Sequence, residues 1–290
     1  MGSSRNKKIK FFIKIVISSL LYYSSIFRLL KFIKRKKPTV LCYHRIVEDF
    51  YEESKYSQSG LLVSKDSFSK QMDFIKKNHN VISMDDFVKY LDGKARLPDY
   101  SLLITFDDGY EDNYSIAYNI LRQHEVPATI FIVTDFADSR RCPSWENERP
   151  VGQKLMLSWE EIIEMSKDSI SFGAHTKTHP VYNKQQLEQE YYEEIPESKQ
   201  IIENNIKKEI STFAYPEGTY NLEAMEYLQR SGFKCAFTLN EQNNKDTMSE
   251  YKRFTIGRIP INEGMYRFGN GKSHMPIFAC GLLNFWKSQK

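Results

Sequence analysis

Two carboxylates stand side by side at Asp107 and Asp108, at the end of the apolar run Leu102-Leu103-Ile104-Thr105-Phe106 and just before Gly109. Adjacent carboxylates repel each other and lose solvation when buried, so the pair needs compensation. A metal ion supplies it, with one carboxylate as ligand and the other left free as a base. A turn or a helix N-cap also accounts for paired aspartates. A second cluster lies at His175 and His179, two of only six histidines, in Ala174-His175-Thr176-Lys177-Thr178-His179-Pro180. One helical turn, or a tight loop of similar reach, brings both imidazoles to one side of the backbone. Imidazole nitrogen plus carboxylate oxygen is a donor set for zinc or a neighbouring divalent ion.

The elements that must position these groups read as alternating strands and helices. Thr39–Tyr43, Ser101–Phe106, Ala128–Val133, Ser169–Phe172 and Cys235–Leu239 are short apolar runs expected as strands. Ser67–Asn78, Ser115–His124, Ser158–Lys167 and Lys184–Asn205 are expected as helices, with Ser158-Trp159-Glu160-Glu161 as a capping box. Such alternation implies an α/β domain on a mainly parallel sheet, either open or closed into a barrel. The polar segment 135–157, containing Trp145, reads as a solvated insertion or a border of the cleft. Cys42, Cys142, Cys235 and Cys280 are scattered, which argues against a structural zinc or a disulfide framework.

Three blocks then acquire a common meaning. Thr105-Phe106-Asp107-Asp108-Gly109, His175-Thr176-Lys177-Thr178-His179 and Phe213-Ala214-Tyr215-Pro216-Glu217-Gly218 resemble the motifs of the polysaccharide deacetylases, the NodB-homology domains of carbohydrate esterase family four. The resemblance runs from about Pro38 to Ile261 and implies a distorted, incomplete (β/α) barrel. It implies that Asp108, His175 and His179 hold one divalent ion, zinc first, with cobalt, nickel or manganese as substitutes. Asp107 would be the general base, and backbone N–H groups around Tyr215, Pro216 and Glu217 would face the oxyanion. The chain also resembles the circularly permuted poly-N-acetylglucosamine deacetylase branch, which implies His44, after the strand Thr39–Tyr43, as general acid. Two departures stand out: Ala214 replaces the usual arginine of the third motif, and the fourth motif is missing near Phe237-Thr238-Leu239-Asn240. Arg258 is expected to orient Asp107 in place of the lost groups.

The N-terminal segment 1–37 stands apart from the catalytic domain 38–290. Its uncharged run Ile15–Phe27 is too short to cross a bilayer unaided. On a helix, Lys10, Lys14, Ser18, Ser25, Arg28, Lys31 and Arg35 form a polar stripe, while Phe12, Ile13, Val16, Ile17, Leu20, Ile26 and Leu30 lie largely elsewhere. That pattern suits a helix lying in the membrane interface, in contact with lipid, or a signal anchor with snorkelling Lys and Arg. Basic residues flank the run on both sides, so the side of the membrane stays open. The net charge of +4 resides largely in this segment and is no argument for nucleic-acid binding. The expected activity is hydrolysis of N-acetyl groups from amino sugars of an exopolysaccharide, capsule or cell-wall glycan. The alternatives are a catalytically impaired, membrane-tethered glycan-binding protein and a related hydrolase of a non-sugar amide.

Overall fold

The structure is a computed structural model that describes residues 2–139, 141–147, 149, 153–180, 188–239, 249–263, 267–268 and 272–283. Its strands are β1 (Thr39–Tyr43), β2 (Arg45–Val47), β3 (Leu62–Ser64), β4 (Asn80–Val81), β5 (Ser101–Phe106) and β6 (Ala128–Ile132). They continue with β7 (Ile170–Ala174), β8 (Thr212–Ala214), β9 (Cys235–Thr238), β10 (Ile256–Gly257) and β11 (Ile259–Pro260). Side by side, β1, β5, β6, β7, β8 and β9 pair in parallel. The segment 256–260 then serves both open edges. Its first half pairs with β9 through Ile256 and Phe237, and its second half pairs with β1 through Ile259 and Leu41. The result is a nearly closed parallel barrel, with Arg258 at the point where the segment passes from one neighbour to the other. Between β5 and β6 the ring is distorted: they share only Thr105–Phe106, and β4 takes the start of β5 at Ser101–Leu102.

Local signals explain most of these elements. β5 is buried along its whole length, which is why it reads as an uninterrupted apolar run. The helix Lys65–Asn78 turns Phe68, Met72 and Ile75 into the core at helical spacing. Ser158 and Glu161 form the expected reciprocal cap on the helix Trp159–Met165. The stretch before His124 is not one regular helix, because Asn113–Tyr118 is π-helical and only Asn119–His124 is α-helical. The helix expected over 184–205 is seen as Glu188–Ile206, its first four expected positions lying outside the described residues.

The N-terminal segment forms two helices, Gly2–Tyr23 and Ser25–Lys34, bent by 77° with Ser24 as the N-cap of the second. Among the described residues no single helix is long and apolar enough to cross a membrane, although the bent pair passes that test jointly. Both helices rest on the remainder of the fold. Ser18 is fully buried, its carbonyl accepting from Cys280 Sγ at 3.6 Å, and Phe27 packs with Ala279, Cys280 and Leu283. Lys31 Nζ donates to the Asn78 carbonyl at 3.1 Å.

Candidate metal and catalytic centre

The parallel sheet sends the C-terminal ends of its strands to one mouth, and the chemistry-bearing residues follow them. His44 comes after β1, Asp107 and Asp108 after β5, His175 and His179 after β7, and Tyr215–Glu217 after β8. The residues that carry the turns adopt the left-handed backbone region: Asp108 (φ +73°), Thr176 (φ +67°), His179 (φ +65°) and Glu217 (φ +52°). Such conformations cost free energy for residues with a Cβ, and they cluster where function fixes the chain. Gly109 (φ +77°) has a further constraint, because a Cβ there would meet Ile132 Cδ1 at 2.9 Å.

Asp108 Oδ1 lies 3.3 Å from His175 Nε2 and 3.5 Å from His179 Nε2. One donor atom from each of the three falls within 4.8 Å of the others. His175 Nδ1 is 2.7 Å from the Ala214 carbonyl. A carbonyl only accepts, so Nδ1 carries a proton and Nε2 is the ring nitrogen turned to Asp108. Burial pushes His179 down to about 4, so its imidazole is neutral at ordinary pH. Burial also opposes the charged form of His175, yet the Asp107 and Asp108 carboxylates hold it above its usual value. Two imidazole nitrogens and one carboxylate oxygen, already converging, fit a divalent cation.

His175 and His179 sit on a loop, not on a helical turn. The loop is clamped from outside by Glu194 on the helix Glu188–Ile206. Glu194 Oε2 accepts the backbone N–H of Lys177 at 2.7 Å and of Thr178 at 2.8 Å, while Oε1 accepts the Thr178 hydroxyl at 2.6 Å. Sequence reasoning missed this residue, since nothing local distinguishes one glutamate of an acidic helix from the next. Glu194→Ala should weaken zinc binding by roughly 10–100-fold, the usual cost of losing an outer-shell support, as read by chelator competition on the folded protein.

Asp107 faces a different environment. Its two oxygens accept from Arg258 Nη1 at 2.6 Å and Nη2 at 2.7 Å, and Arg258 Nη1 also donates to Thr105 Oγ1 at 3.2 Å. The guanidinium is buried, with the Phe131 and Phe237 rings 5.6 Å and 5.9 Å away. Burial disfavours the Asp107 carboxylate, but the charge of Arg258 overrides it and holds the group well below the usual carboxylate range. Cys42, free like the other cysteines, also reaches the site: its thiol lies 3.3 Å from Asp107 Oδ2. Burial pushes that thiol well above its ordinary value, so it stays protonated and donates. One ring nitrogen of His44 lies within 4.8 Å of an Asp107 oxygen and of Cys42 Sγ. His44 Nδ1 is buried and has no hydrogen-bond partner among the described residues. The His44 loop is fixed by Asn113 Nδ2 on its carbonyl at 2.8 Å and by Asp112 Oδ1 on the Ile46 N–H at 3.1 Å. Neither Asp112 nor Asn113 was singled out from the sequence.

The oxyanion expectation narrows to one donor. The Tyr215 N–H is committed to the Phe237 carbonyl at 3.0 Å, and Pro216 has no N–H. That leaves the Glu217 backbone, on a turn pinned by Thr238 Oγ1 donating to the Gly218 carbonyl at 2.6 Å. Trp145 and Glu146 of the 135–157 segment join the neighbourhood of the site. Trp145 lies 4.2 Å ring to ring from His179 and donates through Nε1 to the Tyr110 hydroxyl at 2.7 Å. Tyr110 in turn donates to Glu146 at 2.8 Å, inside a buried ionic cluster with Arg45 and Arg149.

Residues 94–236 match the polysaccharide deacetylase family. A putative polysaccharide deacetylase, YxkH of Bacillus subtilis, is 28% identical over 237 residues, spanning 80% of this chain and 75% of the relative. A poly-beta-1,6-N-acetyl-D-glucosamine N-deacetylase of Staphylococcus aureus is 27% identical over 251 residues, spanning 80% and 81%. The fold is similar to that of the Streptococcus pyogenes deacetylase PplD in complex with acetate, with a TM-score of 0.66 at 24% identity over 80% of this chain and 95% of that one. It is also similar to IcaB from Ammonifex degensii, with a TM-score of 0.66 at 23% identity over 85% and 97%.

Proposed function

Since this chain belongs to the polysaccharide deacetylase family, we propose that it is a metal-dependent N-deacetylase of a glycan built from N-acetylglucosamine, releasing acetate and leaving a free amine. The observation that carries the reading is the pairing of a converged Asp108–His175–His179 donor set with an adjacent carboxylate, Asp107, held ionised by Arg258. A divalent cation bound by the three donors would polarise the acetyl carbonyl and acidify water. The protein's own groups supply the rest. Asp107 takes the proton of the attacking water, and both its oxygens are fixed by Arg258, so the lone pair that receives the proton has one direction. The Glu217 N–H donates to the oxygen that gains charge. His44, with an unengaged ring nitrogen, gives a proton to the departing nitrogen, without which an amine leaves poorly.

The relatives' substrate suggests a β-1,6-linked N-acetylglucosamine polymer as the first glycan to try. Acetate release from N-acetylglucosamine oligomers, measured with zinc or cobalt added, tests the reading. A protein that binds metal and sugar yet frees no acetate would be the catalytically impaired glycan-binding alternative. Attachment to a membrane through the N-terminal helix pair is part of the proposal. Phe12 (61% exposed), Leu20 (71%), Ile26 (60%) and Ile33 (64%) face outward, while Ser18 faces the domain. Phe27 and Leu30 already cover the contact with the domain, so the second, exposed apolar face calls for lipid.

A further inference from the structure

The opposite end of the barrel holds a concavity that the chemistry above does not use. It lies where β1, β10 and β11 begin, beneath the helix Ser25–Lys34, and has a volume of roughly 450 Å³. Four lysines line it: Lys31, Lys34 and Lys37 from the N-terminal segment and Lys252 from the 3₁₀ helix Ser249–Phe254 before β10. No carboxylate lines it among the described residues, although Asp and Glu supply 37 residues of the chain. Lys31 and Lys34 contact backbone carbonyls of Asn78 and Leu283, neutral partners that leave their charge uncompensated. The remaining wall mixes apolar residues such as Phe87 and Ile256 with His79, Tyr90 and Tyr100. The same helix leaves Leu29 (58% exposed) and Phe32 exposed.

We propose that this cavity binds the head group of an anionic phospholipid, with the acyl chains leaving along the exposed apolar face of the helix Ser25–Lys34. Lysines on a flexible stem suit a phosphate as point charges, and their stems suit the glycerol and first methylenes. The charge match selects the occupant. A neutral lipid would leave the Lys31 and Lys34 ammonium groups with only neutral carbonyl partners, whereas a phosphate offsets their charge. The inference rests on the membrane attachment proposed above and adds a head-group preference to it. It also fixes an orientation: with its floor on the lipid surface, the barrel points its catalytic mouth away from that surface, towards extended polymer.

Lys252 decides the test, because only the fold brings it to the N-terminal helix. Cosedimentation of the full chain is measured with vesicles of phosphatidylcholine alone and of phosphatidylcholine mixed with phosphatidylglycerol, at one salt concentration. The wild type should prefer the phosphatidylglycerol vesicles. Lys252→Gln should weaken that binding about fivefold, the typical contribution of one lysine near an anionic surface. Lys36→Gln, whose lysine lies outside the cavity and pairs with Asp99 at 2.6 Å, should change it far less. Equal losses for the two variants would mean diffuse surface attraction and would overturn the cavity. A Lys252-dependent rise in melting temperature with inorganic phosphate, without any vesicle preference, would point to a soluble anion and overturn the lipid. Failure to bind either vesicle would remove the membrane reading itself, a result distinct from binding both equally. Acetate release from soluble oligomers should be the same for both variants, since neither lysine lies at the catalytic mouth.

Discussion

Asp107→Asn is expected to cut acetate release by roughly 10³-fold while the protein keeps its metal. The magnitude follows from general-base catalysis, which contributes about 10²–10⁴-fold. The amide matches the carboxylate in shape, so the barrel should tolerate it, but it cannot accept a proton. Retention of metal is the sharper half of the result. Asp107 lies beside the donor set of Asp108, His175 and His179 without belonging to it. Zinc content by elemental analysis should therefore stay at the wild-type level as turnover collapses. Loss of zinc together with activity would place Asp107 among the ligands and reverse the roles given to the two aspartates. Normal turnover would remove Asp107 from the reaction.

The second large effect is expected at Arg258. Arg258→Met removes the partner of a buried carboxylate, and breaking a buried pair in this way costs about 3–5 kcal/mol. The variant should unfold at lower denaturant concentration, and its turnover should fall with metal content unchanged. A pH profile separates positioning from bulk damage. In the wild type the Asp107 carboxyl is held far below its ordinary value against the opposing effect of burial. The folded-state pKa is thus depressed. This group contributes stability above the unfolded carboxyl pKa of about 4, and that contribution is lost as pH falls towards the folded value. Without the guanidinium, burial is opposed only by the neighbouring imidazoles, and the Asp107 pKa rises. The acid limb of the rate profile should then move to higher pH. Arg258→Lys, which keeps the charge but not the two-pronged geometry, should retain more stability than Arg258→Met yet remain slow. An acid limb unmoved in Arg258→Met would show that Arg258 does not set the ionisation of Asp107.

Much of this centre can be read from a linear string, and the reason is local. Asp107, Asp108 and Gly109 end a strand that is buried throughout, so its apolar run and its break are visible in nine residues. His175 and His179 likewise follow their strand directly. Arg258 was found by a different route, through the absence of the arginine expected at position 214. The structure shows why the substitution is geometrically open: the segment 256–260 bonds to both β9 and β1, which delivers a side chain from that crossing to the same carboxylate.

What sequence spacing could not reveal is every contact made by chain segments far apart. The Cys42 thiol reaches Asp107 across 65 residues because β1 and β5 are neighbours in register. Glu194 grips the histidine loop only once its helix has packed beside β7, and Trp145 reaches His179 across 34 residues of chain. The restriction of the oxyanion donors to Glu217 depends on pairing between β8 and β9, which consumes the Tyr215 N–H. The N-terminal stripe was legible as amphipathic, but not that Ser18 would turn inward while Phe12, Leu20 and Ile26 stay exposed. Residue types and short spacings thus determined which groups could do the chemistry and which strands would carry them. Tertiary structure decided which distant side chains hold those groups ionised, neutral or oriented, because desolvation and hydrogen bonding act through space and not along the chain.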